Sequence, residues 1–304
     1  MPDRPLRWGA EALWEQLTPQ LPGLSVEVVA RISSTNSALL ERARIVTPAA
    51  TDEGDLAQVR RSVESTAFGR RAADLQPCLL VAEHQTHGRG RQGRLWQASP
   101  GASLTFSLAL PLAPLDWSGL SLAVGVALAD ALDPPPSGPD GHRPRLMVKW
   151  PNDLWLMDAE TGRKLGGILI ETVAAGSRRL AVVGIGINVL PMSPGDAATG
   201  FACVQEIDPD ATAPQVLARV AKPLVEGLRR FEREGFGDFA DAFARRDLLR
   251  GRRVRTTHSD VPEGCAEGVS ADGSLLVRTP DGELRTVSSG EVSVRLQPGG
   301  EAPC

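Results

Sequence analysis

The sequence predicts an α+β fold, with a mainly antiparallel sheet in a large first domain and a separate small β-barrel or sandwich after it. Strand-like apolar segments between Met147 and Asn188 follow one another with room only for tight turns, which favours antiparallel pairing. Amphipathic helix patterns flank these segments. After Gly251 the chain changes to short strands broken by Asp-Gly turns at 272–273 and 281–282, and such turns are strong hairpin signals.

The predicted elements follow in order along the chain. The first half contains helices at 11–17, 35–44 and 118–132 and strands at 78–83 and 104–110. The second half contains strands at 147–150, 154–157, 164–172 and 180–188 and helices at 213–234 and 236–247. We interpret 47–76 as a surface insertion and 133–145 as an exposed loop. The proposed domains are 1–250 and 251–297, with a disordered tail at 298–304.

The bulk composition excludes several classes of protein. The 304 residues carry a formal net charge of −4, which argues against a protein made mainly to bind nucleic acid. No run of about 18 apolar residues is present, and Glu11 and Glu15 interrupt any signal peptide, so we expect a cytoplasmic protein without a membrane span. The four cysteines are scattered without a CxxC pair, so neither a zinc site nor a disulfide framework is predicted.

Lysine is rare in this chain. Of the 33 basic residues only Lys149, Lys164 and Lys222 are lysine. A lysine retained among so many arginines is a candidate for a position that requires a compact ammonium group, although chance retention explains any single one equally well.

The strongest local motif is the loop at 88–94, GRGRQGR, which follows a predicted strand. Its glycines allow the backbone to wrap closely around a ligand, and its arginines supply charge-assisted donors, which suits a phosphate or a carboxylate. The loop also matches the GxGxxG dinucleotide fingerprint, but the next strand leaves no room for the crossover helix that this fingerprint requires. The sequence contains no GxxxxGK[ST] phosphate loop. A flexible solvated loop is the plainer alternative.

Glycines mark two neighbouring strands as the floor of a pocket. In KLGGILIE (164–171) adjacent glycines interrupt an apolar strand, and in GIGIN (184–188) glycines alternate with isoleucines, which leaves bare backbone on one face. Close packing of a helix is the competing explanation. Lys164 heads the first of these strands, where it is placed to neutralise a developing anion. KWPND (149–153) predicts a turn that directs Lys149, Asn152 and Asp153 towards one end of the sheet, and an ordinary turn is again the alternative.

Two smaller signals also have plainer alternatives. Ser34, Thr35 and Asn36 offer hydroxyls and an amide ahead of a helix, where N-capping is the usual role. Trp96 follows the arginine loop, and its indole suits either stacking on a base or a place in the core.

Taken in order, the segments SSTN, AEHQTHGRGRQGRLW, KWPNDL, KLGGILIE and GIGIN closely resemble the motifs of the bacterial biotin–protein ligases. The resemblance covers residues 33–188 by motif and continues through the small β-domain. It implies a mixed, mainly antiparallel sheet with helices on one side, related to the class II aminoacyl-tRNA synthetases, and a C-terminal barrel of the Src-homology type. It also implies an activity: ATP-dependent adenylation of biotin to biotinyl-5'-AMP, then transfer of biotin to a lysine of a biotin carboxyl carrier protein.

The resemblance implies roles for individual residues. The implied catalytic residues are Lys164, Arg91 and Lys149. The implied biotin-binding residues are Ser34, Thr35, Asn36, Gln85, Gly88, Arg89, Gly90, Arg91, Lys164, Gly167 and Gly184. The implied ATP- or adenylate-binding residues are Arg89, Arg91, Arg94, Trp96, Lys149, Asn152, Asp153 and Asn188. Magnesium is implied with the ATP phosphates, and Asp153 is the candidate protein ligand for it.

The implied partners are biotin, ATP with Mg²⁺, and the carrier protein of a biotin-dependent carboxylase, and a homodimer is left open. Many family members also carry an N-terminal DNA-binding helix-turn-helix. The residues before Ser33 are too few for one, so we expect a monofunctional ligase that does not bind DNA. The stretches 47–76 and 133–145 have no assigned counterpart in the family, which leaves the dimer geometry and the acceptor contacts open.

Three other functions are compatible with parts of the sequence. A lipoate–protein ligase shares the fold and the adenylation chemistry, but the GRGRQGR loop suits the biotin family better. A non-catalytic sensor would keep the pocket and bind biotin without releasing pyrophosphate. A nucleic-acid regulator is disfavoured by the net negative charge.

Overall fold

The computed structural model describes residues 6–45, 75–135, 144–158, 161–175, 178–192, 200–289, 292–296 and Cys304. The predicted insertion at 47–76 therefore falls almost wholly outside the described residues. The same holds for most of the predicted loop at 133–145 and of the tail at 298–304.

Seven strands of the first domain form one mixed sheet. The domain has nine strands among the described residues, which are β1 (Ser25–Ile32), β2 (Cys78–Gln85), β3 (Gly88–Arg89), β4 (Leu95–Trp96), β5 (Ser103–Pro111), β6 (Leu146–Lys149), β7 (Asp153–Asp158), β8 (Thr161–Ala175) and β9 (Arg178–Asn188). The sheet order is β1-β2-β5-β9-β8-β7-β6, while β3 and β4 form a separate hairpin. Only β1 and β2 pair in parallel among the described strands, which confirms the predicted mixed and mainly antiparallel sheet.

Strand β1 is absent from the predicted elements. Its residues are exposed or half-buried throughout, as expected for the edge of a sheet. Charged residues such as Glu27 and Arg31 also dilute its apolar pattern. Its partner β2 begins only after the long polar stretch that follows α2. The pairing of β1 with β2 therefore has no local turn signal in the sequence. The strand matters because it places the residues that follow Ile32 beside the end of β2.

Helices cover both faces of the sheet. They are α1 (Ala10–Leu17), α2 (Thr35–Ile45), α3 (Leu120–Leu132), α4 (Ala213–Glu234) and α5 (Ala240–Arg246), the last preceded by a 3₁₀ turn at Phe236–Phe239. Helices α1, α3, α4 and α5 share one large core that includes Leu79 and Val81 of β2. Helix α2 packs against Leu80 on the opposite face, because successive residues of a strand point to opposite sides. The expectation of helices on one side thus holds for all but α2. Within the described chain no helix has the length and apolarity to cross a membrane.

The C-terminal domain is a second, antiparallel sheet. Its strands are β10 (Arg253–Thr256), β11 (Glu263–Val269), β12 (Leu275–Arg278), β13 (Leu284–Val287) and β14 (Val294–Leu296). The predicted Asp-Gly turns connect β11 to β12 and β12 to β13, with Gly273 at φ 81° and Gly282 at φ 88°. The sheet order is β13-β12-β11-β10-β14, so its edge strands β13 and β14 do not pair and the predicted barrel is not closed. Buried Val254 and Val277 join the core of the first domain.

A disulfide joins Cys265 of β11 to Cys304, with their Cα atoms 6.0 Å apart. The expectation that the cysteines form no disulfide is therefore wrong for this pair. The two residues are 39 positions apart, and only the tertiary fold brings their Cβ atoms within bonding reach. The backbone N–H of Cys304 also donates to the carbonyl of Gly251 at 3.2 Å, so this residue of the predicted disordered tail is anchored. Cys78 and Cys203 are buried and free.

Candidate functional site

A cavity of about 810 Å³ lies between the central sheet, the β3–β4 hairpin and strand β14. Its wall contains all the predicted site residues except Gly88 and Asn188. These wall residues are Ser34, Thr35, Asn36, Gln85, Arg89, Gly90, Arg91, Arg94, Trp96, Lys149, Asn152, Asp153, Lys164, Gly167 and Gly184. The fold thus brings together residues from five separate sequence motifs.

One region of the wall, Thr35, Asn36, Gln85 and Gly184, carries no charged side chain, and we call it the neutral part. The parallel pairing of β1 with β2 sets Ile32 opposite Gln85, so the start of α2 lies next to the end of β2. The backbone N–H and the hydroxyl of Thr35 both donate to Gln85 Oε1, at 2.7 and 3.2 Å. Gln85 Nε2 keeps its donors free among the described residues, so the neutral part presents an amide donor to the cavity.

Asn36 is held from three sides. Its Nδ2 donates to the carbonyl of Leu169 at 3.1 Å and to Glu171 Oε2 at 3.0 Å. Its Oδ1 lies 2.6 Å from Ser107 Oγ, which donates to it. A Cβ at Gly184 would lie 2.2 Å from Asn36 Oδ1, so only glycine fits there. Both amide donors of Asn36 are engaged, and this side chain mainly fastens α2 to β8.

The arginine loop is a short hairpin. β3 pairs with β4, so that Gly88 lies opposite Trp96, and a 3₁₀ turn at Arg91–Gly93 connects them. A Cβ at Gly88 would lie 2.5 Å from the carbonyl oxygen of Trp96. Gly88 is therefore required for this backbone pairing and does not itself line the cavity.

Trp96 occupies part of the space above the glycine-bared strands. A Cβ at Gly186 would lie 2.4 to 2.7 Å from the indole ring of Trp96. The ring also approaches Gly167, at 3.6 Å from the equivalent Cβ position. The glycines of β8 and β9 thus leave bare backbone on one face, as predicted. Part of that face is covered by the Trp96 indole, and part of it lines the cavity. The indole Nε1 is buried and has no hydrogen-bond partner among the described residues.

A second region of the wall, Arg91, Arg94, Lys149, Asp153 and Lys164, is dominated by charge, and we call it the charged part. Lys164 Nζ lies 2.7 Å from Asp153 Oδ1, across the β7–β8 hairpin. Burial lowers the pKa of the Arg91 guanidinium, while the nearby Asp153 carboxylate acts in the opposite direction.

The turn after β6 is fixed by the backbone of β8. Asn152 Nδ2 donates to the carbonyl of Ile168 at 2.7 Å, and the peptide bond between Trp150 and Pro151 is cis. This turn carries Asp153 into the charged part, as predicted from KWPND.

Lys149 is a buried cation that contacts the second domain. Only 8% of its surface is exposed, and its Nζ donates to the carbonyl of Val294 in β14 at 2.7 Å. The same Nζ lies 5.4 Å from the ring centroid of Trp155. Burial lowers the pKa of the Lys149 ammonium to about 8, against the opposing attraction of the Asp153 carboxylate.

The second domain contributes part of the wall directly, at residues 292–296. Ser293 Oγ accepts from the Arg94 guanidinium at 2.9 Å and donates to Gln92 Oε1 at 2.8 Å. The Arg91 guanidinium donates to the carbonyl of Ser289. These residues are far from every motif in the sequence and no local pattern marks them, so sequence reasoning missed them.

Other contributors are also new. Phe106, Trp155 and Ile168 line the cavity, and the indole Nε1 of Trp155 is buried without a partner among the described residues. Asn188, in contrast, lies away from the wall, because its Nδ2 donates to the carbonyls of Ala202 at 3.0 Å and Lys164 at 3.4 Å. Its amide therefore fastens the end of β9 to neighbouring backbone.

The balance of charge along the wall favours an anionic ligand. The cationic side chains of the wall are Arg89, Arg91, Arg94, Lys149, Lys164 and Arg295. Asp153 is the only carboxylate among the described wall residues. No group of three or more His, Cys, Asp or Glu side chains within the described ranges could hold a metal ion by itself. The site thus suits a polyanion, such as a nucleotide, beside a neutral polar group.

Comparison with known proteins matches both domains. The model of the biotin/lipoate A/B protein ligase family matches residues 63–188, and the model of the biotin protein ligase C terminal domain matches residues 251–295. The bifunctional ligase/repressor BirA of Escherichia coli is 31% identical over 287 residues, which are 92% of this chain and 77% of that protein. The biotin–[acetyl-CoA-carboxylase] ligase of Mycobacterium tuberculosis is 30% identical over 301 residues, covering 93% of this chain and 91% of that protein.

Solved structures show the same likeness. The biotin protein ligase from Aquifex aeolicus in complex with biotin and ATP superimposes with a TM-score of 0.64 at 26% identity. The match covers 90% of this chain and 99% of that one. The likeness therefore spans both sheets and the cavity between them.

Proposed function

We propose, from the premise that this chain belongs to the family of biotin protein ligases, that it adenylates biotin with ATP and then transfers biotin to a lysine of an acceptor protein. The enzyme is thus a ligase that forms AMP and pyrophosphate. The observation that carries the proposal is the ion pair between Lys164 and Asp153, which lies in one cavity with an uncharged amide-lined part and a set of cations.

The neutral part of the cavity suits the uncharged ring system of biotin. Its free amide donors at Gln85 match the oxygen of a cyclic urea, and the lack of a side chain at Gly184 lets the Asn36 amide lie against β9 and shape the pocket. We assign biotin contacts to this region and to the adjoining loop: Ser34, Thr35, Asn36, Gln85, Gly88, Arg89, Gly90, Arg91, Lys164, Gly167 and Gly184. Asn36 and Gly88 act by fixing the pocket, because their polar or backbone groups already have protein partners.

The charged part suits the triphosphate of ATP. We assign adenylate contacts to Arg89, Arg91, Arg94, Trp96, Lys149, Asn152 and Asp153, with Asn188 acting only through the backbone that it holds. Mg²⁺ would be held mainly by the phosphates, with Asp153 of the cavity wall as the candidate carboxylate ligand, and it would neutralise phosphate charge.

The first reaction step brings two anions together. A carboxylate oxygen of biotin attacks the α-phosphorus, and the bond from that phosphorus to the oxygen of the leaving pyrophosphate breaks. Lys164, Arg91 and Lys149 supply positive charge beside the reacting groups, so they lower the repulsion and stabilise the charge of the transition state. Asp153 holds the Lys164 ammonium at 2.7 Å and so fixes its position before ligands enter.

In the second step a neutral lysine amine of the acceptor attacks the carbonyl of the mixed anhydride. An amide bond forms, the bond from the carbonyl carbon to the phosphate oxygen breaks, AMP leaves, and the nitrogen releases one proton to solvent. We propose the biotin carboxyl carrier protein of a carboxylase as the acceptor and the cytoplasm, where ATP is made available, as the location. A homodimer is compatible with the proposal.

The proposal is limited to ligation and does not include DNA binding. The described residues ahead of Ser33 form α1 and β1, which pack into the core and the sheet of the first domain. We also propose the division into a catalytic domain at 1–250 and a β-domain at 251–297, which follows the two sheets.

Pyrophosphate exchange tests this function. We expect the purified protein to exchange labelled pyrophosphate into ATP when biotin is present, and to give little exchange with lipoate. Exchange with lipoate alone would make the protein a lipoate ligase, and biotin binding without any exchange would make it a sensor. Either result overturns the proposal.

A further inference from the structure

Glu171 ends the KLGGILIE segment and lies outside the set of residues assigned above. Its two carboxylate oxygens point to two different places. Oε1 accepts from Arg89 Nη2 at 3.1 Å, and Oε2 accepts from Asn36 Nδ2 at 3.0 Å. One side chain on β8 therefore joins the arginine hairpin to the neutral part of the cavity.

The contact with Arg89 fastens the hairpin to the body of the domain. Arg89 Nη1 also lies 3.4 Å from Glu171 Oε2 and donates to Ser37 Oγ of α2 at 3.2 Å. The guanidinium is thus held by β8 and α2 together. Both charged side chains are partly exposed, at 45% for Arg89 and 25% for Glu171, so solvent can compete for this contact.

The contact with Asn36 reaches the floor of the cavity. Asn36 also donates to the carbonyl of Leu169 and accepts from Ser107, which is fully buried in β5. A continuous set of hydrogen bonds therefore runs from buried Ser107 through Asn36 and Glu171 to Arg89 on the hairpin. Glu171 thus contacts both the Asn36 amide and the guanidinium of the hairpin.

We propose that Glu171 is a positioning residue that holds the arginine hairpin closed over the neutral part of the cavity, and this inference rests on the proposed function. Closure is set by an ion pair of moderate exposure, so the hairpin can open for biotin and close behind it. While it is closed, it also keeps water from the reactive adenylate.

The chemistry requires a carboxylate at this position. Both partners, Asn36 Nδ2 and the Arg89 guanidinium, are donors, and a carboxylate only accepts. Glutamine has the same shape but replaces one acceptor oxygen by a donor NH₂ group. It can satisfy either Asn36 or Arg89, but its NH₂ group then faces the donor of the other.

The test compares Glu171→Gln with Glu27→Gln in the full chain. Glu27 pairs with Arg42 at 2.9 Å with similar exposure, but lies in β1 outside the cavity wall, so it controls for the loss of an ion pair. For Glu171→Gln we expect the KM for biotin to rise roughly five- to tenfold, with a smaller rise in the KM for ATP because the hairpin also carries Arg91 and Arg94, and with the kcat of pyrophosphate exchange within about twofold. Without acceptor protein, AMP release should also rise roughly threefold or more, because water reaches the adenylate. Glu27→Gln should match the unchanged protein in each measurement.

A double-mutant cycle tests the partner. We expect Arg89→Met to raise the KM for biotin, and Glu171→Gln added to Arg89→Met to raise it by less than about twofold further. Independent effects that multiply would show that Glu171 does not act through Arg89, and they would overturn the inference. If Glu171→Gln does not fold, Arg89→Met by itself tests the contact between Arg89 and Glu171.

The outcomes separate this inference from the proposed function. If the unchanged protein shows no biotin-dependent exchange, the proposed function falls and this inference falls with it. If the unchanged protein exchanges normally and Glu171→Gln has the same KM for biotin and the same AMP release, only the role of Glu171 is overturned.

Discussion

The neutral and the charged parts of the cavity differ in what holds them together. Thr35 and Gln85 are fixed by neutral hydrogen bonds within the first domain, whereas Lys149 and Arg94 contact groups of the second domain. The neutral part is therefore complete within one sheet and its helix. The charged part combines an ion pair within the first domain, Lys164 with Asp153, with contacts to the second domain.

This difference has a consequence for the two substrates. Neutral hydrogen-bond partners that are already in place need little rearrangement when an uncharged ring system enters. In the charged part the ligand must compete with contacts that the cations already make, such as the ion pair of Lys164 with Asp153. We therefore expect changes in the second domain to affect ATP and changes around Thr35 to affect biotin.

The largest expected effect comes from the charged part. Lys164→Gln removes the ammonium beside the reacting groups, and we expect the kcat for biotin-dependent pyrophosphate exchange to fall roughly 100- to 1,000-fold. Lys222→Gln is the matched control, because the Lys222 side chain is exposed on the outer face of α4 and pairs only with Glu226 among the described residues. A loss smaller than tenfold for Lys164→Gln would show that this charge does not stabilise the transition state.

Thr35→Val tests the neutral part. The change keeps the shape but removes the hydroxyl that lies 3.2 Å from Gln85 Oε1, so we expect the KM for biotin to rise roughly tenfold while the KM for ATP stays the same. Thr105→Val removes an equally buried hydroxyl that donates to the carbonyl of Ala82 in the sheet, and it controls for general loss of stability. Equal effects on biotin and ATP would erase the distinction between the two parts.

Ser293→Ala tests whether the second domain affects ATP. The hydroxyl joins Arg94 to Gln92 near the surface, and hydrogen bonds so exposed are weak, so we expect the KM for ATP to rise about threefold. The KM for biotin should not change. Ser259→Ala, in an exposed turn of the same domain, is the control. An increase in the KM for biotin alone would contradict the expectation that changes in the second domain affect ATP binding.

The smallest expected effect is the uptake of part of one proton when ATP binds. In the protein without ligand Lys149 has a pKa of about 8, so at pH 8.5 a substantial fraction of this side chain is neutral. Phosphate anions beside Lys149 favour the charged form and raise its pKa, so ATP binding at pH 8.5 should take up part of one proton. At pH 7 the uptake should be smaller, because Lys149 is already protonated. Calorimetry in buffers of different ionisation enthalpy measures this, and Lys149→Gln should abolish it.

Periodicity and turn chemistry predicted most of the fold, because these signals are local. The helix at 213–234 and the Asp-Gly hairpins of the second domain have clear patterns and are found as predicted. Strand β1 has no such pattern, since it is an edge strand whose partner β2 follows a long polar stretch. The disulfide between Cys265 and Cys304 is likewise visible only in three dimensions.

The same contrast between local signals and tertiary contacts applies to the candidate site. Lys164 was predicted from its chemistry and its place in a glycine-rich strand, whereas Gln85 was implied by the resemblance to the family, and the structure places both in one wall. Val294 and Ser293 were missed because their contribution depends on how the second domain docks, and a backbone carbonyl has no signature in the sequence. Asn188 was expected at the cavity, but the sequence does not reveal that nearby carbonyls would engage its amide.

The two indole rings that line the cavity have one further consequence. The chain contains six tryptophans and no tyrosine, so its ultraviolet emission comes almost entirely from indole rings. Trp96 and Trp155 line the cavity, with the ammonium groups of Lys164 and Lys149 5.9 and 5.4 Å from their ring centroids. A ligand that draws these ammonium groups towards its phosphates changes the electric field at both rings. The intrinsic fluorescence of the protein thus offers a label-free signal for the order in which its substrates arrive.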